Sequence, residues 1–387
     1  MIPFVNLQAQ YRTIQDKVET AVLAALRSGQ YIMGREVVEL EERLAAYCGS
    51  KHAISCASGT DALVMALMAK GVGPGDAIFT TPFTFFATAE AIALVGATPV
   101  FVDVERDTFN IDPAALKAAI EKLAKDGTAN PAAEAGRSGL TPKGIIAVDL
   151  FGLPANYRSI NEIAERHDLF VIEDAAQSFG AKMGTQRAGA LAEIGCTSFF
   201  PAKPLGCYGD GGAIFTDSTE IADRLKSIRV HGQGADRYEH VRIGLTGRLD
   251  TVQAAVLIEK LAIFDEELQA RQAVANGYRD RIDEAGLPLT TPVVADGFVS
   301  AWAQYTVVAP DEASRDLFRK RLSDAEIPTA VYYPKPLHLQ PAFKGNGGTV
   351  GAFPVSEDLS RRVFSLPMHP YLSDEQVAQI VAAMTGT

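Results

Sequence analysis

The sequence predicts an α/β fold: a large domain on a parallel sheet with helices on both faces, followed by a smaller α+β domain. Three observations lead there. Short apolar segments rich in β-branched residues alternate with helical patterns up to about Asp250, as buried parallel strands and their crossover helices do. The alternation then gives way to a long helical stretch. The length of 387 residues, at roughly 150 residues per domain, suits one large unit and one smaller one.

In chain order, residues 16–48 read as two helices broken at Ser28-Gly29-Gln30-Tyr31, the second running over 36–47. A strand-like Ala53-Ile54-Ser55-Cys56 leads into a helix over 60–70. Residues 77–80, 99–103, 144–149 and 169–174 are brief and continuously apolar, the pattern of strands buried on both faces. Helical periodicity marks 88–94, 113–124 and 160–167 between them. Residues 125–143, rich in Gly, Ala, Asn, Pro and Ser, read as a surface excursion without chemistry. A long helical stretch is expected from Thr251 to about Glu284, and 300–309 with 311–325 begin the smaller unit. The expected division is therefore 15–250 for the large domain and 251–387 for an interdomain helix and small domain, with 1–14 packing on the latter.

Hydrophobic residues make up 47% and charged residues 21% of the chain, values of a globular protein with a substantial core. The formal charge, 36 − 47 = −11, comes with no long basic run, so nucleic acid is not an expected partner. Cys48, Cys56, Cys196 and Cys207 form no disulfide or zinc pattern, and the histidines lack metal-ligand spacing. No metal is expected. With neither a signal-peptide pattern nor a run of about 20 apolar residues, the expected setting is cytoplasmic, away from membranes.

Neither G-x-x-x-x-G-K-[ST] nor a strand-following G-x-G-x-x-G occurs, so ATP and dinucleotides are not indicated. Three other elements carry chemistry. Ser58-Gly59-Thr60-Asp61 stands at a helix start, where free amides and the helix dipole can hold a phosphate; a plain Ser or Thr cap is the alternative. Glu173-Asp174-Ala175-Ala176-Gln177-Ser178 ends a strand, at the sheet edge where α/β folds bind ligands; there an Asp either faces a ligand cation or caps the next helix. In Thr197-Ser198-Phe199-Phe200-Pro201-Ala202-Lys203, an apolar run precedes a lysine that glycines follow. Desolvation would lower its pKa and suit it to Schiff-base chemistry, against the alternative of a snorkelling surface lysine. Jointly, a phosphate-holding helix end, an Asp for a pyridine nitrogen and a Lys to form an imine are the requirements of pyridoxal 5'-phosphate.

On these segments, and on Pro82-Phe83-Thr84-Phe85, Arg248-Leu249-Asp250-Thr251 and Leu366-Pro367-Met368-His369-Pro370, the chain resembles the DegT/StrS family of pyridoxal-phosphate-dependent nucleotide-sugar aminotransferases. The resemblance implies fold-type I, the aspartate aminotransferase architecture, with a mixed, mostly parallel sheet in the large cofactor-binding domain. It further implies that Lys203 bonds the cofactor and moves the proton, Asp174 pairs with the ring nitrogen, Gln177 bonds the ring hydroxyl, and Phe85 stacks on the ring. Gly59, Thr60 and Ser198 would hold the phosphate. Thr246 would join them from a neighbouring subunit, where the family commonly has Asn. Gly29, Tyr31, Arg248, Tyr332 and Tyr333 would hold substrate. The similarity is closest to the subgroup aminating a 3-keto UDP-N-acetyl-glucuronate with L-glutamate for surface polysaccharides, which implies a homodimer with shared sites. In that subgroup Tyr332 is a His, and the residue before the lysine, here Ala202, is usually Ser. The alternatives are 3- or 4-amination of another dTDP-, UDP- or GDP-keto-deoxysugar, sugar 3-dehydration, in which His replaces the lysine, and a regulatory protein that binds without turnover.

Overall fold

The computed structural model describes residues 2–126, 139–344 and 348–386. In order, the chain forms α1 (Leu7–Ser28), α2 (Arg35–Cys48), β1 (His52–Cys56), α3 (Gly59–Ala69), β2 (Asp76–Thr80), α4 (Phe86–Leu94), β3 (Thr98–Phe101), α5 (Pro113–Asp126), β4 (Thr141–Val148), α6 (Tyr157–Arg166) and β5 (Phe170–Asp174). Two short strands, β6 (Lys182–Met183) and β7 (Gln186–Arg187), precede β8 (Ile194–Ser198), β9 (Gly212–Thr216), α7 (Thr219–Ile228), α8 (Thr251–Leu261) and α9 (Phe264–Glu284). The chain closes with β10 (Phe298–Val299), β11 (Tyr305–Val308), α10 (Glu312–Asp324), α11 (Pro354–Arg362), β12 (Val363–Leu366) and α12 (Asp374–Thr385).

Seven strands form the central sheet in the order β1-β9-β8-β5-β4-β2-β3. The pairings β2·β3, β2·β4, β4·β5 and β5·β8 are parallel, and β9 runs antiparallel between β8 and β1. The sheet is therefore mixed and mostly parallel. Alternation along the strands divides its side chains between two cores. Ile54, Ile146, Ile172 and Ile194 pack with Leu63 and Leu67 of α3, Ile92 of α4 and Leu225 of α7. Ile145, Ala147 and Val171 point the other way, onto Leu116 of α5 and Tyr157 and Ile160 of α6. On that second side, Phe215 of β9 meets Leu40 of α2 and Leu257 of α8. The smaller unit packs α9, α10 and α12 on β11 and β12 through Tyr278, Phe318, Phe364 and Ile380, and Ile2 belongs to the same cluster.

Three expectations change. The first helix begins at Leu7, not near residue 16, because Asn6 accepts the Ala9 N–H at 3.0 Å as a side-chain cap. The expected helical stretch from 251 to 284 is two helices, broken at Ala262 and Ile263. The break has a sequence signal in hindsight, since Asp265, Glu266 and Glu267 fill the first turn of α9, where acidic side chains favour a helix start. It lets α8 stay in the large core while α9 carries Val274, Tyr278 and Ile282 into the small one. Of the excursion expected over 125–143, residues 125–126 end α5 and 141–143 begin β4; 127–138 lie outside the described residues.

Candidate active site

The carboxyl ends of the parallel strands open onto a cavity of about 700 Å³. Asp174 ends β5 and Ser198 ends β8, while Ser58, Gly59 and Thr60 carry the chain from β1 into α3. Phe85 precedes α4, Thr88 lies in its first turn, and Lys203 follows β8; all of these line the cavity, as do Gln177, Tyr332 and Tyr333. Its placement is the one expected of an open α/β sheet.

The head of α3 is capped by Ser58, whose hydroxyl accepts the Asp61 N–H at 3.0 Å. A helix leaves its first amides without intrahelical partners, so those of Gly59 and Thr60 remain at the cavity wall. Gly59 also has a packing reason that sequence reasoning missed. A Cβ built on it would lie 2.6 Å from Ser198 Cβ, so only glycine lets the α3 head and the end of β8 close up around one spot.

Asp174 is buried. Its Oδ2 accepts the Thr88 hydroxyl at 2.9 Å, and its Oδ1 accepts the Ala176 N–H at 3.2 Å. Burial raises its pKa, and both donors together with the Lys203 charge oppose that rise. Strand alternation explains why Asp174 and not its neighbour serves the cavity. Asp174 lies on the side of Ile172 facing α3 and α4, whereas Glu173 lies on the side of Val171.

Lys203 keeps partial access through the cavity, within a turn in which its N–H donates to the Phe200 carbonyl at 2.9 Å. Desolvation lowers its pKa, and the Asp174 carboxylate partly restores it. The turn is tight, since a Cβ on Gly206 would lie 2.6 Å from the carbonyl oxygens of Phe200 and Pro201. Beneath it, Lys260 of α8 is 1% exposed and donates to the Gly206 carbonyl at 2.5 Å. Sequence reasoning did not single out Lys260, because its partner lies 54 positions away.

Gln177 is held at both ends of its amide: Oε1 accepts the Phe151 N–H at 2.7 Å, and Nε2 donates to the Tyr333 hydroxyl at 3.2 Å. Phe85 is 57% exposed at the cavity, with its ring centroid 6.3 Å from that of Tyr333. It is a large apolar face kept in the open rather than in a core.

The other predicted residues do not line this cavity. Tyr31 is exposed, and its carbonyl accepts the Thr251 N–H at 3.0 Å while Ile32 bridges to Asp250. The Gly29–Tyr31 turn is thereby drawn to the segment containing Arg248. Arg248 Nε is buried without a partner, and Thr246 is exposed, its hydroxyl 2.8 Å from His231 Nε2.

The DegT/DnrJ/EryC1/StrS aminotransferase family profile matches residues 12–385. The chain belongs to this family. It is 46% identical, over 100% of both chains, to UDP-2-acetamido-2-deoxy-3-oxo-D-glucuronate aminotransferase of Pseudomonas aeruginosa. The crystal structure of a DegT DnrJ EryC1 StrS aminotransferase from Brucella abortus superposes with a TM-score of 0.93 at 47% identity, covering 100% of this chain and 99% of that one. The PLP form of the putative sugar aminotransferase Spr1654 from Streptococcus pneumoniae superposes at 0.85 with 25% identity, covering 96% and 95%. Fold-type I architecture, sugar-aminotransferase activity and pyridoxal phosphate as cofactor follow from this membership.

The residues fit that cofactor. The head of α3 and Ser198 suit a phosphate, the carboxylate of Asp174 suits a protonated ring nitrogen, and the desolvated Lys203 amine suits the aldehyde. Among the described residues no helix is long and apolar enough to cross a membrane.

Proposed function

We propose that this aminotransferase moves an amino group from L-glutamate to the 3-keto carbon of a UDP-N-acetyl-glucuronate-type sugar in surface polysaccharide synthesis. The observation that carries the aminotransferase chemistry is the meeting of Lys203 and Asp174 in one cavity. The 46% identity to an enzyme named for a 3-oxo-glucuronate sugar nucleotide supports the substrate class.

Bound pyridoxal phosphate supplies an aldehyde that takes up amino groups and a ring that withdraws electrons from the adjoining carbon. Lys203 Nζ, its pKa lowered by burial, would bond the aldehyde and would hold and move the proton at that carbon. Asp174, acceptor-only when ionised, would keep the ring nitrogen protonated. Gln177 would bond the ring hydroxyl, Phe85 would cover a ring face, and the amides of Gly59 and Thr60 would hold the phosphate together with the Ser198 hydroxyl. Tyr332 and Tyr333 form the sugar side of the cavity.

Gly29, Tyr31, Thr246 and Arg248 act in this reading from a second copy of the chain, which explains why none of them lines the cavity of its own subunit. The unpartnered Arg248 Nε leaves that guanidinium available for a carboxylate or diphosphate. Exposed Tyr31, Ile32, Phe200 and Ile243 favour a homodimer, and four free, buried cysteines favour a reducing cytoplasm. Residues 15–250 would form the large domain and 251–387 the interdomain helices and small domain. The 1–14 segment divides, with Ile2 in the small-domain cluster and Ile14 of α1 against Val256 of α8.

The test is spectroscopic. Adding glutamate should shift the absorbance of the bound cofactor to that of its aminated form, and UDP-linked 3-keto uronates, which take up the amino group, should reverse the shift more readily than dTDP-linked keto sugars. Lys203→Ala should abolish the response while leaving the fold intact. A wild-type spectrum indifferent to glutamate would sink the donor assignment, and a stronger response to dTDP sugars would move the substrate elsewhere in the family.

A further inference from the structure

Beneath the cavity floor, two carboxyl groups meet in the dry interior. Asp149, just after β4, and Glu173 of β5 are each 0% exposed. In the parallel register Ala147 pairs with Glu173, and Asp149 follows Ala147 by two residues, so both acids lie on the face covered by α6. Asp149 Oδ1 accepts from Ala155 N at 2.9 Å and Tyr157 OH at 2.8 Å, and its Oδ2 accepts from Ser178 Oγ at 2.6 Å. Glu173 Oε1 accepts from Gly189 N at 2.6 Å, and Oε2 accepts from Leu191 N at 2.9 Å. The two carboxyl groups are thus neighbours on adjacent strands, on one face and out of water.

Two like charges side by side in the dry interior disfavour full ionisation, so the pair is favoured with one proton held between the two groups. Among the described residues no cation bonds either carboxyl group in its place. Tyr157 of α6 and Cys48 of α2 neighbour the pair with their pKa values raised by burial, so they are neutral; Cys196 of β8, also raised by burial, lies across the sheet, and the remaining charged neighbour is the Asp174 carboxylate. Arg187 of β7, which also neighbours Cys48, is engaged by Tyr47 and Asp265.

We propose that Asp149 and Glu173 share one proton and act as a positioning pair that fixes Asp174 and Gln177 at the cavity floor. The role rests on the reading of those two residues as cofactor contacts; the shared proton does not. Asp149 reaches both contacts. Its N–H donates to the Asp174 carbonyl at 3.1 Å, and its own carbonyl accepts the Gly152 N–H at 3.4 Å, closing the turn from which Phe151 N–H bonds Gln177. Its side chain binds Ser178, the residue after Gln177. Loss of the shared proton sets two like charges against each other at the ends of β4 and β5, where like charges in low dielectric repel most strongly. Burial raises the pKa of both groups. Their folded-state values therefore lie above the unfolded ones, and the stability the pair contributes is lost as pH rises.

The proton can be read without cofactor. Infrared spectra of the cofactor-free protein at neutral pH should show a protonated-carboxyl C=O band that shifts in D₂O and is missing from Glu173→Gln, whose amide does not titrate. Absence of the band in the wild type, or its survival in the variant, overturns the shared proton. If the variant does not fold, pH titration of the wild-type band decides alone. The positioning role is read on the loaded protein, as cofactor retention against pH. Wild-type affinity should weaken about tenfold toward alkaline pH, the equivalent of one pK unit of linkage, while Glu173→Gln stays flat. Parallel profiles overturn the positioning role. A protein that binds no cofactor at any pH refutes the cofactor reading instead, and leaves the infrared band standing.

Discussion

Lys203 and Lys260 lie on two sides of one turn, and burial lowers the pKa of both, yet their surroundings differ. Lys203 opens onto the cavity and meets the Asp174 carboxylate. Lys260 is enclosed, bonded to the Gly206 carbonyl, with its ammonium 4.4 Å from the Tyr208 ring centroid. Desolvation alone therefore does not make a lysine a reactive group. What separates them is access to a ligand-sized space and a carboxylate across it; the enclosed lysine is left to hold the turn that carries the open one.

The sharpest way to break this contrast is to remove each ammonium in turn. Lys203→Met should lower kcat by at least about 10⁴-fold, since nucleophile and proton carrier disappear together, with little change in melting temperature. Next in size, Asp174→Asn should cost about 10²–10³-fold, as loss of a preorganised charge does. Steady-state rates with glutamate and a keto sugar nucleotide check both.

Lys260→Met should cost less, about tenfold in kcat, through displacement of the Lys203 turn. Its distinct signature is in stability against pH. Burial lowers the Lys260 pKa to about 8 from an ordinary 10.5, so between those values the unfolded chain binds the proton that the folded one releases. Stability then rises with pH across the window. Denaturant unfolding should show wild type gaining on Lys260→Met from about pH 8 to about pH 10.5, and parallel curves would refute an ammonium held against its desolvation.

The same contrast shows what the residues could disclose on their own. Lys203 was legible because an apolar run, a proline and several glycines surround it, and Asp174 because it ends an apolar strand. Both signals are local. Lys260 was not legible, because α8 reads as part of one amphipathic run and its carbonyl partner comes from a distant turn. Asp149 likewise passed as the end of a strand, since its neighbours Glu173, Tyr157 and Ser178 assemble only when β4, β5 and α6 pack. Gly59 discloses in the sequence its place at a helix start but not its packing, because closeness to Ser198 is a tertiary fact. The strands of the parallel core were legible from periodicity, whereas the division between α8 and α9 required weighing a cluster of acids against an unbroken apolar pattern.

The smallest expected effect tests the carboxylate side of the contrast. Thr88 donates to Asp174 Oδ2 at 2.9 Å and lies 3.3 Å from the Thr84 hydroxyl. Thr88→Val keeps the shape of the side chain and removes that donor, while the Ala176 N–H and the Lys203 charge still favour the ionised form. Because burial already raises the Asp174 pKa, losing one of the opposing donors must raise it further. A hydrogen bond to a charged group contributes roughly 1.5–3 kcal/mol, of which partial compensation should leave about one pK unit. The acidic limb of the kcat profile should therefore move up by about one pH unit, with only a few-fold loss at neutral pH. A limb that stays in place would mean that the Ala176 N–H and the Lys203 charge suffice to keep Asp174 ionised, and would make them, rather than the hydroxyl of α4, the groups that set the charge of the cavity floor.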